Sequence, residues 1–196
     1  MKRPKTILTV QLFFLPLMML LLTTGCTPPA SYKYKIGVSQ CVGGKWRDKV
    51  NNEMLSSQHL YDTDVKVCIT NADNNTNRQR QQIDSLIDAG VDLLVIAPNE
   101  YKPLSSCVER AKKRAIPVIL FERKTSSQNY TAYIGGDNVE AGRAMGTYAA
   151  RLCHDSIHVG RRPVVLEITG QLVTSPDRER YEGFSTVIKQ HPELDY

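Results

Sequence analysis

Acids, amides, arginines and a single tryptophan recur in this chain in one kind of place, just after short apolar runs. Gln40 follows Tyr34–Ser39, with Trp46 and Arg47 a few residues on. Asn71 and Asp73 follow Val65–Thr70, and Asn99 follows Leu93–Ala97. Glu122 and Arg123 follow Pro117–Phe121, Asp137 and Asn138 follow Thr131–Gly135, and Gly170, Arg178 and Arg180 come after Val164–Ile168. Carboxylates and amides accept hydrogen bonds, guanidinium groups donate them, and charge-assisted bonds are the stronger kind. The set has no nucleophile beside a base. His59, His154, His158 and His191 fall in helix ends or loops and read as surface histidines. No Cys-x-x-Cys pair occurs, and Gly135, Gly136 and Gly142 do not fit a G-x-G-x-x-G phosphate cradle. The residues therefore point to binding without catalysis, cofactor or metal. A neutral polyol suits them, because each hydroxyl donates and accepts, and the indole of Trp46 can cover the apolar C–H side of a pyranose. Plainer readings stand beside these. Trp46 can be a core residue of its helix, Glu122–Arg123 a surface ion pair worth under about 1 kcal/mol, and Asp137 and Asn138 helix caps.

The elements that position these residues alternate. After the strand Tyr34–Ser39, Trp46, Val50 and Met54 recur every four residues and mark a helix. Ile83, Leu86 and Ile87 give a second helix its apolar face, with Gly90 as its stop. Leu104, Val108 and Ala111 mark a third helix. Ala141, Ala144, Met145, Tyr148, Ala149 and Leu152 stripe a fourth, and Tyr181, Phe184 and Ile188 a last one. The continuous apolar run Leu93–Ala97 is that of a strand covered on both faces. Alternating strands and helices predict an α/β fold with a doubly wound parallel sheet. In such a sheet the strand ends open onto one crevice, where small ligands bind. The gap between the fourth and fifth strands is too short for a helix. The predicted organisation is a first lobe over residues 34–152, including a crossover helix, and the start of a second lobe over 157–196, inside which the chain stops.

Residues 1–25 read as an export signal. Lys2, Arg3 and Lys5 precede the apolar Ile7–Leu22, and Thr23, Thr24 and Gly25 lead to Cys26. Gly25-Cys26 resembles a bacterial lipobox, with Thr23 where leucine is usual, and predicts acylation of Cys26. Plain cleavage near Gly25 and a signal-anchor helix are the alternatives. Residues 27–33 form a tether. Three of the five net positive charges lie within the signal, so the remainder carries a net of two. That is no footprint for nucleic acid, which needs a clustered basic face. Export permits disulfides. Cys41 follows the first strand and Cys68 lies in the neighbouring second, either bridged or, as the preferred reading, as two buried thiols.

Several stretches carry a resemblance. They are Lys35–Ser39, Gly90–Pro98, Ile116–Arg123, Ile134–Asn138 and Ser175–Phe184, in order across residues 35–190. The chain resembles the type I periplasmic sugar-binding proteins, the ribose-binding and repressor-core superfamily. Ser39-Gln40-Cys41 with Trp46-Arg47 is similar to a narrower branch, the sugar-sensing ectodomains of hybrid two-component regulators. The resemblance implies an Asp-Arg pair gripping sugar hydroxyls, here Glu122-Arg123 with a longer acid. It also implies a stacking aromatic at Trp46 and a ligand contact from Arg180. It implies an exported periplasmic protein that binds a mono- or oligosaccharide, with a transporter permease or a kinase module as partner. The family's fold has two lobes and three crossings between them, of which this sequence supplies one.

Overall fold

In the computed structural model, residues 32–61 and 64–196 are described. The export signal and the acylation expected at Cys26 lie outside the described residues. Five strands form one wholly parallel sheet in the order β2-β1-β3-β4-β5. They are β1 (Tyr34–Gln40), β2 (Val65–Asn71), β3 (Leu93–Ile96), β4 (Val118–Phe121) and β5 (Ala132–Ile134). The helices are α1 (Lys45–Gln58), α2 (Thr76–Asp88), α3 (Ser105–Lys113), α4 (Asn138–His158) and α5 (Ser175–Ile188). The sequence order of strands and helices is the predicted one up to α4, and β4 runs to β5 without a helix between them.

One core lies under α2 and α3, where Ile83, Leu86, Ile87, Leu104 and Val108 meet Leu94, Ile96, Val118 and Leu120. Gly37 makes that approach possible, since a side chain there would press on Leu86 and Leu94 at 3.1 Å. Gly90, at φ 68°, ends α2 in the left-handed conformation that glycine adopts without steric cost. On the other face, α1 rests on β1 and β2 over a cavity of about 450 Å³ lined by Val38, Val50, Met54, Val67 and Val95.

A second, smaller core joins α4, α5 and the chain end through Ala150, Ile188 and Leu194. Here two expectations change. The stripe expected to bury on α4 is its open side, with Met145, Tyr148 and Leu152 between 47 and 64% exposed. The buried face is instead Gly142, Gly146 and Ala150. Small residues let the α5 backbone come close, and a side chain at Gly142 would strike the Arg180 carbonyl. Apolar periodicity marks a face that must be covered, and here contact depth selects the smaller residues. The strand expected over Val164–Ile168 is reduced to a single parallel bridge from Val164 to Asp195. A strand exists only through the ladder of a neighbour, and this segment bonds one residue of the chain end. Leu166 and Ile168 are accordingly 86 and 97% exposed.

Cys41 and Cys68 are free thiols. Register puts Cys68 opposite Gly37, four residues short of Cys41. Four strand residues span about 13 Å, whereas bridged Cα atoms stand at most about 7 Å apart.

Candidate functional site

The C-terminal ends of β1, β3 and β4 are stapled together by buried side chains before any ligand is considered. Gln79, on α2, donates to the Ala97 carbonyl at 2.9 Å and accepts from the Asn99 N–H at 2.8 Å. Gln40 accepts from Arg47 at 2.6 Å and donates to Asn51 at 2.8 Å. Arg47, only 5% exposed, also pairs with Glu122. This ties the first turn of α1 to the end of β4. Glu122 has a φ of 62°. A long side chain held in the left-handed region costs on the order of 1–3 kcal/mol, and such strain clusters at ligand-binding sites.

Beyond β4 the chain bends around the strand ends. Tyr133 donates to the Glu122 and Gly136 carbonyls at 3.1 and 3.3 Å. Burial pushes its hydroxyl up from the ordinary range, so it stays protonated as a donor. Lys124 lies 4.6 Å over the Tyr133 ring and 3.0 Å from Glu179. Burial pulls the Lys124 ammonium down, but the bond to Glu179 and its charge outweigh that and hold it above its usual value. The Lys124 N–H donates to Ser175 Oγ at 2.6 Å and the Tyr101 N–H to the Val173 carbonyl at 2.9 Å. These bonds fasten the start of α5 against the strand ends.

Between the two surfaces lies a cleft of about 580 Å³. Glu122, Arg123 and Asn138 line it from the strand-end side, and Thr174, Asp177 and Arg180 from the other. Arg123 also donates to the Asn99 carbonyl at 3.3 Å, and Arg180 donates to Asn138 Oδ1 at 3.0 Å. Asp177 accepts from the Gly170 N–H through one oxygen. Its other oxygen is buried without a partner. A buried acceptor left unpaired costs about 1–3 kcal/mol. With Glu167, the lining holds three carboxylates and two guanidinium groups. One of those carboxylates, Glu122, is already paired with Arg47, which stands outside the lining. The cleft is thus rich in donors and acceptors without a strong net sign.

Of the residues singled out from sequence, Glu122, Arg123, Asn138 and Arg180 line the cleft. The others gather at the same end of the sheet in different roles. Gln40, Arg47 and Asn99 are buried and bonded within the protein. Asn71 accepts from the Asp73 N–H, and Asp73 faces away to pair with Arg78 at 2.6 Å; Asn74 lines the cleft in its place. Asp137 caps α4 by accepting from the Glu140 N–H. Trp46 is 55% exposed. Its ring stacks on Phe121 at 5.9 Å and 8°, beside the cleft-lining Glu122 and with Arg47 5.3 Å away. Sequence reasoning missed Asp177 as a site residue. Its place within Ser175–Phe184 was visible, but only the fold turns its second oxygen into a buried, unpaired acceptor.

Known proteins share this arrangement of strands and helices. The profile of the periplasmic binding protein domain matches residues 36–196. The ribose import binding protein of Bacillus subtilis is 29% identical over 126 residues, 64% of this chain and 39% of that protein. The D-xylose-binding periplasmic protein of Escherichia coli is 36% identical over 78 residues, 40% of this chain and 24% of that protein. Among solved structures, the fructose binding periplasmic domain of a hybrid two component system is 40% identical with a TM-score of 0.71. That match covers 83% of this chain and 52% of that one. The myo-inositol binding protein of Caulobacter shares the fold, with a TM-score of 0.68 at 22% identity, over 87% of this chain and 56% of that one. The chain spans about two fifths of the length of the ribose-binding relatives it matches.

Proposed function

Because the chain belongs to the periplasmic binding protein domain family, we propose that it captures a neutral mono- or oligosaccharide in the cleft between the strand ends and the start of α5. The observation that carries this reading is a single cleft whose lining brings together Glu122, Arg123, Asn138, Asp177 and Arg180. Together they offer acceptors and donors to alternate hydroxyls of one small molecule. Trp46, half-exposed and stacked on Phe121 outside the cleft lining, would supply an apolar plate. The relatives named above are binding proteins, and we assign this chain binding without catalysis. The protein is exported to the periplasm and held at the membrane by acylated Cys26. The strand ends and the α4–α5 core form the two sides of the site, the second lobe starting near residue 157.

A second reading concerns the step after capture. The 40% identity to the periplasmic domain of a hybrid two component system favours passing the signal to a kinase module over handing the sugar to a transporter permease.

Trp46 is the only tryptophan, so the fluorescence reports on its surroundings alone. Titration with fructose, ribose, xylose and myo-inositol is expected to change that emission saturably for at least one of them. Arg123→Ala is expected to weaken that binding by about 10- to 100-fold, the loss of a bond of about 1.5–3 kcal/mol to a charged donor. Unchanged affinity in Arg123→Ala would show that the sugar sits elsewhere.

A further inference from the structure

The last turns of α4 carry a pair of side chains that the sugar cleft does not use. His154 and His158 stand four residues apart, which sets them on one face of the helix. Their Nε2 atoms approach to 2.9 Å, and the rings meet edge-on at 79° with centroids 4.1 Å apart. Both nitrogens lie in the open, with His154 64% exposed. Sixteen residues separate His154 from Asn138, which places the pair about 24 Å along the helix from the cleft.

The separation of the two nitrogens is informative. Ligands about 2.05 Å from one metal ion and at a right angle stand about 2.9 Å apart, whereas tetrahedral ligands stand about 3.3 Å apart. The observed 2.9 Å is the length of an ordinary hydrogen bond, and it already holds the two nitrogens within the span of neighbouring ligands on one ion, so little movement would let both bind Cu²⁺ or Ni²⁺ in a square-planar or tetragonal site. Asp155 adds a second element. Its Oδ1 lies 3.3 Å from His154 Nδ1. An Nδ1–H donated to that carboxylate leaves the Nε2 lone pair of His154 free to point at its neighbour. Such an outer partner fixes the tautomer and raises the basicity of a metal-bound imidazole. Among the described residues no group of three or more His, Cys, Asp or Glu is placed to hold a metal ion, so water would complete the coordination of a bound one.

We propose that His154 and His158 form a two-imidazole binding site for a divalent transition metal, Cu²⁺ ahead of Ni²⁺ and Zn²⁺. The ion replaces the hydrogen bond between the two rings, and His158 moves its proton to Nδ1. Binding ties two successive turns together and stabilises the end of α4, since the unfolded chain does not hold the pair in place.

Copper(II) chloride titrated into the full chain, monitored by calorimetry and by electron paramagnetic resonance, tests this. One equivalent is expected to bind, with a tetragonal spectrum showing coupling to two imidazole nitrogens. His154→Gln and His158→Gln should each weaken binding at least tenfold and remove one nitrogen from the spectrum, while His191→Gln leaves both readings unchanged. Both side chains are on the surface, so circular dichroism of the variants should match that of the parent. No binding, binding indifferent to His158→Gln, or binding that disappears in His191→Gln overturns the proposal.

Discussion

Asp177 shows what single residues contribute to this site. One oxygen holds the Gly170 N–H and fixes the loop, and the other is buried without a partner. The two jobs can be separated by one substitution. Asp177→Asn keeps the shape and can keep the Gly170 bond through its remaining oxygen, so the fold should persist. It also puts an N–H₂ donor where the unpaired carboxylate oxygen lay, so the melting temperature is expected to change little. Sugar affinity is expected to fall about tenfold, because the cleft lining loses a carboxylate and with it a charge-assisted acceptor. Calorimetry beside thermal melting distinguishes the roles. A variant that melts early and binds normally would make Asp177 a loop anchor only. Glu122 makes a similar point: its left-handed backbone and its bond to buried Arg47 both bear on a residue at the mouth of the cleft. Its type and its place after an apolar run were readable in sequence, while its φ and the Arg47 contact were not, because that contact joins residues 75 positions apart.

The helices are held by different means. The cap of α2 is local, with Asn75 accepting from the Arg78 N–H. That of α4 is too, with Asp137 accepting from the Glu140 N–H. Such caps can be read from short sequence windows. The α4–α5 pair is set by close backbone approach instead. A side chain at Gly183 would strike the Val139 carbonyl and crowd the Arg143 N–H. Gly183→Ala therefore sets two effects in competition. Overpacking costs about 1–3 kcal/mol, and the better helix propensity of alanine returns about 1 kcal/mol. A net loss of up to about 2 kcal/mol is expected by denaturant unfolding. A gain in stability would show that α4 and α5 can separate at no cost. The same contact explains why the apolar stripe of α4 misled: Met145, Tyr148 and Leu152 repeat with helical spacing, yet the glycine face is the one that packs.

At the scale of the whole molecule, the proposed anchor tethers the chain to the membrane. Several acyl chains on Cys26 would hold it there, each buried CH₂ contributing about 0.8 kcal/mol. Expressed in a bacterium with lipoprotein processing, the protein is expected in the membrane fraction, and Cys26→Ser in the soluble periplasmic fraction. Equal partition of the two would rule out acylation at Cys26. Among the described residues no helix is long and apolar enough to cross a membrane. By itself the sequence determined the alternation of strands and helices, the parallel sheet and the clustering of polar residues at strand ends. These arise from periodicity and from breakers such as Gly90, which act over a few residues. Only the tertiary structure decided which of those polar groups face the cleft, which are used up in holding it, and which side of α4 is buried. It also decided that Val164–Ile168 does not become a full strand. Those outcomes depend on partners distant in the chain, and a hydrogen bond, a packed glycine or a strand ladder has no energy until its partner is in place.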